Sequence, residues 1–161
     1  MVYTKSIKQS NPLIMPVVEF SDYCAQIDAK NLIKANALKY TMLLCVALED
    51  DYRKYSIRMT KGSLARDPGN AYLLNRLEDL EEGLTEIRFI VETGRKYHKI
   101  IQCDENSRSV HAFVDKNTGE VYKAASWKAP AKHVRFDFRI IEQRDFVLEN
   151  CDWAGGYLYL K

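Results

Sequence analysis

Apolar side chains recur at steps of three and four through the first half of the chain, and this period predicts long helices. The first helix is predicted to begin at Ser21-Asp22, a plausible N-cap, and to run toward Lys61, where Gly62 and Ser63 would end it. One face of its second half is apolar and comprises Leu38, Met42, Cys45, Leu48, Tyr52, Tyr55 and Met59.

A turn signal, Asp67-Pro68-Gly69-Asn70, precedes a second predicted helix, which runs to about Thr93 with Gly94 as its C-terminal stop. Its stripe alternates steps of four and three and comprises Leu73, Leu77, Leu80, Leu84, Ile87 and Val91. Two such helices joined by a short turn favour an αα-hairpin. Three more apolar side chains need cover from a sheet or another subunit, which makes a homo-oligomer a serious hypothesis: Leu74, Phe89 and Ile90.

From Lys96 onward the period changes to two, which is typical of strands. Three strands are predicted: Lys96 to Cys103, Ser109 to Asp115 and Glu120 to Ala125. The sequence Lys116-Asn117-Thr118-Gly119 indicates a tight hairpin, because Asn and Gly tolerate positive φ. In the middle strand one face is predicted to carry Val110, Ala112 and Val114, and the other His111, Phe113 and Asp115. The expected sheet is therefore antiparallel and covered on one side.

The last third is predicted to hold an irregular loop, a short helix over Ile140 to Cys151 and a closing strand over Tyr157 to Leu160. The predicted class is α+β, with an N-terminal antiparallel helical hairpin followed by a small, mainly antiparallel β-sheet and one short helix. We expect a helical region over 1–94, a candidate for oligomerisation, and a basic β-rich module over 95–161, together forming one folded unit.

Composition supports a globular protein, since 47% of the 161 residues are hydrophobic and 29% are charged. The N-terminal apolar run Leu13 to Val18 is short and broken by Pro16, which excludes a signal peptide or membrane span there and predicts a cytoplasmic protein. The cysteines form no CxxC pair, so zinc-ribbon and dithiol redox proteins are excluded, and we expect them reduced and buried: Cys24, Cys45, Cys103 and Cys151.

Positive charge is concentrated in the second half of the chain, although the net charge is only +2. Between Lys116 and Arg139 six cations face two acids, and aromatic side chains are interleaved with them. Cations beside aromatic faces suit a nucleotide or a single nucleic-acid strand, because the cations meet phosphate while the rings stack on bases. The competing interpretation is a solvated hairpin with ordinary surface lysines and a core tryptophan.

The sharpest candidate lies in the loop Ser126 to Arg135, where Ala129-Pro130-Ala131 would keep the backbone stiff and uncrowded. We predict that its cations converge on one anion. The predicted ligand-binding residues are Tyr122, Lys123, Ser126, Trp127, Lys128, Lys132, His133 and Arg135.

Catalytic and metal-binding motifs are not evident in the sequence. His98 and His111 sit on strands that could pair, but they lack a third ligand at metal spacing and are better interpreted as polar sheet-face residues. Ser126 lacks a GxSxG context, and no Walker or GxGxxG loop is present. We therefore expect no enzymatic activity, no metal and no cofactor.

Two blocks of the sequence, SVHAFVDKNTGEVYKAASWKAPAKHVRF and DWAGGYLYLK, resemble a family of small, uncharacterised proteins encoded by tailed bacteriophages. The resemblance covers Ser109 to Phe136 and Asp152 to Lys161 but not the helical first half. It implies a viral accessory protein made in the infected host's cytoplasm, without an established activity. Such proteins often counter host defence, some by sequestering cyclic nucleotide signals, and others bind DNA.

The leading hypothesis is a non-enzymatic homo-oligomer that captures a nucleotide-type immune signal, with no membrane partner. The runner-up is sequence-tolerant nucleic-acid binding by the same residues, although dedicated DNA binders usually carry more positive charge. A third hypothesis is a structural protein that engages a host or virion protein through its leucine-rich helices.

Overall fold

The chain folds as an α+β protein, in which a long N-terminal helix precedes a five-stranded antiparallel sheet. The computed structural model describes residues 17–161, with side chains from Phe20 onward, so most of the apolar run Leu13 to Val18 lies outside the described residues. The elements are α1 Val17–Arg66, α2 Ala71–Glu81, β1 Arg88–Thr93, β2 Tyr97–Cys103, β3 Arg108–Asp115, β4 Glu120–Lys123, β5 Phe136–Asp137, α3 Ile141–Asn150 and a 3-10 turn Gly156–Leu158. The predicted fold class is confirmed.

The chain divides into two units, with the boundary between Leu32 and Ile33. In the first unit, every described side chain from Phe20 to Leu32 is exposed. The second unit holds the whole sheet, so the boundary that we predicted at Gly94 falls between two hydrogen-bonded strands, β1 and β2. Within residues 17–161, no helix is both long and apolar enough to cross a membrane.

The core of the second unit lies against one face of the sheet. Strand order follows the sequence, β1-β2-β3-β4-β5, and every neighbouring pair is antiparallel. Helix α1 contributes Leu44, Leu48 and Tyr52 to this core, of which Leu44 lies outside the predicted apolar stripe. Three members of that stripe are exposed instead: Leu38, Met42 and Met59. The sheet and the C-terminal segment contribute further buried side chains: Ile100, Ala112, Val114, Val121, Phe138, Val147 and Leu158.

The second predicted helix is wrong beyond Glu81. A left-handed residue, Gly83 with φ of 89°, follows α2, and the chain enters β1 at Arg88. The residues Phe89-Ile90-Val91 are aromatic or β-branched, which suits a strand, and they pair with Gln102, Ile101 and Ile100 of β2. The heptad spacing of Leu84, Ile87 and Val91 is therefore coincidental, because pairing with β2 outweighs the helical pattern.

The bounds of α1 and the conformation of the C-terminal segment also differ from the prediction. Helix α1 begins at Val17 and continues through Gly62 to Arg66, since a helix interior tolerates a single glycine at a cost of about 1 kcal/mol. The closing strand is a 3-10 turn instead, because the Asp152 carboxylate accepts hydrogen bonds from the backbone N–H groups of Gly156 and Tyr157, at 3.0 Å each. These bonds fold the chain back on itself.

A bulge changes the predicted faces of β3. The register with β2 shifts between Ile100 and Ile101, and the His111 ring packs on the core residue Phe89 at a centroid distance of 5.3 Å. His111 thus shares the core side with Ala112. We predicted His111 on the face opposite Ala112 because side chains alternate along a strand. That alternation is interrupted where a bulge inserts a residue.

The cysteines are free thiols, but only two of the four are buried. Cys45 and Cys151 lie in the core, and burial raises the pKa of the Cys45 thiol to about 12 and that of Cys151 to about 11. Cys103 is partly exposed and Cys24 is exposed, which contradicts the expectation that all four are buried. The core thiols are therefore unreactive at neutral pH.

Replacing Gly119 with alanine should lower the free energy of unfolding by about 2 kcal/mol. Its φ is +80°, and a Cβ there would lie 3.3 Å from the Cβ of Phe138. Gly62→Ala is the matched control, because no atom lies within 4 Å of a Cβ at that helical position. Urea denaturation should give Gly62→Ala a small gain, and equal losses for both variants would contradict this account.

Candidate functional site

The eight predicted ligand residues do not form one cluster, because β4 divides them between the two faces of the sheet. Lys123 shares the core face with Val121, and its ammonium lies 4.8 Å from the ring centroid of Tyr159. Tyr122 faces the other way and packs edge-on against Tyr97. Because side chains alternate between faces along a strand, the neighbouring candidates Tyr122 and Lys123 lie on opposite faces of the sheet.

Trp127 lies against the face opposite Lys123, at the tip of the loop that follows β4. The indole is 41% exposed, with the Lys99 ammonium 4.7 Å and the Arg108 guanidinium 5.8 Å from its ring centroid. Both cations come from strands that precede the predicted basic stretch. The Ser126 hydroxyl accepts hydrogen bonds from the backbone N–H groups of Lys128 and Ala129, at 3.3 and 3.2 Å, so it stabilises the loop.

Arg135 is held by backbone groups. Its guanidinium donates hydrogen bonds to the carbonyl oxygens of Leu158 at 2.6 Å, His133 at 2.8 Å and Lys132 at 2.9 Å. The side chains of Lys128, Lys132 and His133 are exposed. The predicted convergence of Lys128, Lys132 and Arg135 on one anion is thus absent, since Arg135 ties the loop to the C-terminal turn.

The hydroxyl of Tyr122 is also engaged in a hydrogen bond within the protein. Its hydroxyl donates to the Glu120 carboxylate at 2.8 Å, and partial burial together with that carboxylate raises the pKa of Tyr122 to about 12. The hydroxyl stays protonated at neutral pH, and its donor capacity is already used.

Lys123 opens onto a polar cavity of about 230 Å³ between the sheet and the C-terminal segment. Gln102 of β2 and Ser109 of β3 line one side, and the exposed ring of Tyr159 lines the other. The backbone at Ala154-Gly155 completes the cavity, which we call the Lys123 pocket. An ammonium, an amide, a hydroxyl and an aromatic ring therefore meet within one small volume.

His111 lies at the rim of the Lys123 pocket and is neutral at pH 7. Desolvation lowers the pKa of its imidazole to about 4, although the nearby Asp152 carboxylate opposes the shift. Its Nε2 atom lies 2.8 Å from the hydroxyl of Tyr157, whose ring stacks on the imidazole. Among the described lining residues, Lys123 is thus the one side chain that carries a charge at neutral pH.

Metal ligands are not assembled in the described part of the chain. No group of three His, Cys, Asp or Glu side chains there could hold a metal ion. His98 is buried and its Nδ1 atom lies 2.9 Å from the Thr93 hydroxyl, so its ring has a partner within the sheet. The two histidines on the strands are therefore packed residues rather than solvent-facing ones.

The two sequence blocks meet at the Lys123 pocket. One block supplies Ser109, His111 and Lys123, and the other supplies Gly155 and Tyr159. Sequence reasoning found Lys123 but not Gln102, Ser109 or Tyr159, since strand pairing across Ser109 and Gln102 could not be derived from spacing. The signal in the sequence that could have located the pocket is the pair of distinctive blocks, because both contribute residues to its lining.

A family model matches residues 20–160, and its description is Family of unknown function (DUF7717). The chain belongs to the DUF7717 family. The match spans both blocks and α1 from Phe20 onward, so all residues of the Lys123 pocket lie within the DUF7717 region. The curated proteins and the solved structures compared with this DUF7717 chain include no match.

Proposed function

We propose that this DUF7717 protein is a non-enzymatic binding protein that holds a small nucleotide-type anion in the Lys123 pocket. The observation that carries the proposal is the position of the Lys123 ammonium, which lies over the Tyr159 ring within a polar cavity. The ammonium would bind a phosphate oxygen, and the exposed face of Tyr159 would stack on a base.

The polar groups around Lys123 suit a ligand with both donors and acceptors. The Gln102 amide offers one acceptor and two donor hydrogens, and the Ser109 hydroxyl offers either role. The neutral His111 adds no charge, so one ammonium provides the electrostatic attraction. A cavity of about 230 Å³ favours a single nucleotide unit over a long chain of phosphates.

Sequestration is the mechanism that such a site would support. A protein that binds a signal without converting it lowers the free concentration of that signal in proportion to its own abundance. The resemblance of both pocket-forming blocks to tailed-phage proteins favours a nucleotide immune signal in the host cytoplasm as the ligand. The role would then be anti-defence.

A second candidate function is binding of a single nucleic-acid strand on the opposite sheet face. The observation in its favour is that the Trp127 indole is exposed between the cations Lys99 and Arg108. An aromatic platform flanked by cations binds strands with little sequence preference. Affinity there should fall steeply with salt, because several phosphates release counterions, whereas affinity at the Lys123 pocket should fall little.

Replacing Lys123 with methionine should weaken nucleotide binding by at least about tenfold, because a charge-assisted hydrogen bond is lost. Purified protein would be screened by thermal shift against cyclic and linear nucleotides and short oligonucleotides, with calorimetry on the hits. Trp127→Ala is the matched control and should leave nucleotide affinity unchanged, since the indole lies on the other face.

The same two variants separate the candidate functions. Oligonucleotide binding that disappears in Trp127→Ala and persists in Lys123→Met would favour the second function. A wild-type protein that gives no shift with any nucleotide would contradict capture in the Lys123 pocket.

A further inference from the structure

The outer edge of β1 lies beside an apolar groove. Strand β1 is the first strand of the sheet, and among residues 17–161 it pairs with β2 alone. The groove, about 470 Å³, is formed by α1 and β1, and its α1 wall carries Leu38, Met42 and Val46. Met42 is 55% and Val46 is 64% exposed. A strand edge beside exposed apolar side chains is a ready template for another chain.

The backbone of β1 presents its outward groups at alternate residues. The Phe89 N–H donates a hydrogen bond to the Glu49 carboxylate at 2.8 Å, so the polar groups of Phe89 face away from β2. By alternation, those of Val91 also face outward, whereas those of Ile90 face β2. The outward groups of β1 therefore belong to Phe89, Val91 and Thr93, and of these the N–H of Phe89 is held by Glu49.

We propose that a second copy of this chain pairs with β1 in antiparallel orientation, with the two-fold axis at Ile90. In that register Phe89 lies opposite Val91 of the second copy, so the outward groups of both strands meet. Arg88 lies opposite Glu92 of the second copy, and the symmetry repeats this pair. Both side chains are exposed. Glu92 also forms an ion pair with Arg108 of its own chain at 3.4 Å, so in the dimer its carboxylate would lie between two cations.

Charge favours this register over the others that pair outward groups. A two-fold axis at Phe89 or Val91 also pairs outward groups, but it places Ile90 opposite Arg88 or Glu92 and forms no pair of opposite charges within β1. An axis at Glu92 places two carboxylates opposite one another, which is destabilising, whereas the axis at Ile90 forms the Arg88–Glu92 pair twice.

The helix supports the same assembly. Leu38, Met42 and Val46 follow one another at steps of four, so they form a stripe on one face of α1 along the groove. A second copy paired through β1 would bring a matching stripe to the same place and remove apolar area from water in both copies.

Glu49 moderates this pairing. In the dimer the Phe89 N–H exchanges the Glu49 carboxylate for the carbonyl of Val91 in the second copy, so one hydrogen bond replaces another. A side chain that covers a strand edge in this way limits uncontrolled addition of strands. The assembly is therefore a reversible dimer rather than a fibre.

A cysteine at Ile90 tests the register directly. The two Ile90 residues would form a non-hydrogen-bonded pair with Cα atoms about 4.5 Å apart, within the range that a disulfide spans. In a C24S/C103S background, mild oxidation of I90C should give a species of twice the 18.7 kDa mass of the chain. The control T93C, at an exposed position whose counterpart lies six residues away, should form no disulfide-linked dimer.

Charge reversal provides the second arm, read by sedimentation equilibrium. R88E and E92R should each weaken the dimer by about tenfold or more, and the double variant R88E/E92R should restore it. A wild-type chain that stays monomeric, a dimer indifferent to both reversals, or equal cross-linking of T93C would overturn the proposal. This test uses no nucleotide, so its result is independent of the proposed function.

Discussion

Replacing Arg135 with methionine should lower the free energy of unfolding by about 2 to 3 kcal/mol. The guanidinium donates to three backbone carbonyls, and the shortest bond, 2.6 Å, reaches Leu158, whose side chain is in the core. Hydrogen bonds to a charged group are each worth about 1.5 to 3 kcal/mol, but water can replace the donors at the exposed residues Lys132 and His133. The net loss is therefore about that of one strong bond.

Lys132→Met is the matched control for Arg135→Met. It removes the same charge three residues earlier from an exposed side chain, so urea denaturation should show a change within about 0.5 kcal/mol. If Arg135→Met kept its stability and lost nucleotide affinity, Arg135 would be a ligand residue as the sequence suggested, and the interpretation as a structural clamp would be wrong.

Arg135 illustrates why the sequence placed the binding site only in part. The high density of positive charge identifies the region from Lys116 to Arg139. It does not show which of these cations donates its hydrogen bonds to backbone carbonyls of the protein itself, as Arg135 does. Lys123 was found because it is basic, but the strand pairing that sets Gln102 beside Ser109 involves no local pattern. Trp127 has two cationic neighbours, half-buried Lys99 and exposed Arg108, instead of the loop lysines that the sequence suggested.

The fold was more accessible than the site because most of its elements have a local signature. The helix α1, the hairpin at Lys116 to Gly119 and the helix α3 follow from period and turn chemistry, and the structure contains each of them. Strand β1 was missed because the apolar residues from Ile87 to Val91 fit two patterns. Ile87 and Val91 are four residues apart, as on a helix face, and the run between them also suits a strand. Pairing with β2, a long-range interaction, decides between the two.

Lowering the pH from 7 to 4 should reduce the free energy of unfolding by about 3 kcal/mol through His111 alone. Packing removes its imidazole from water and lowers its pKa from 6.5 to about 4. In the unfolded chain the ring takes up a proton near pH 6.5, whereas in the folded protein it does so only near pH 4. The unfolded state binds more protons between these values, so stability falls as the pH falls through that window and this part levels off below pH 4.

His111→Gln separates this contribution from the other titrating groups. Glutamine keeps a hydrogen-bonding partner for the Tyr157 hydroxyl but cannot be protonated, so the variant should lose the part of the pH dependence that lies between about 4 and 6.5. Burial also lowers the pKa of His98, so His98 too reduces the stability as the pH falls. The variant His98→Gln measures this second contribution to the pH dependence. Urea denaturation at several pH values gives the slopes, and equal slopes for wild type and His111→Gln would contradict the prediction. Because a neutral His111 leaves Lys123 as the charged group of the pocket, nucleotide affinity should stay flat across neutral pH.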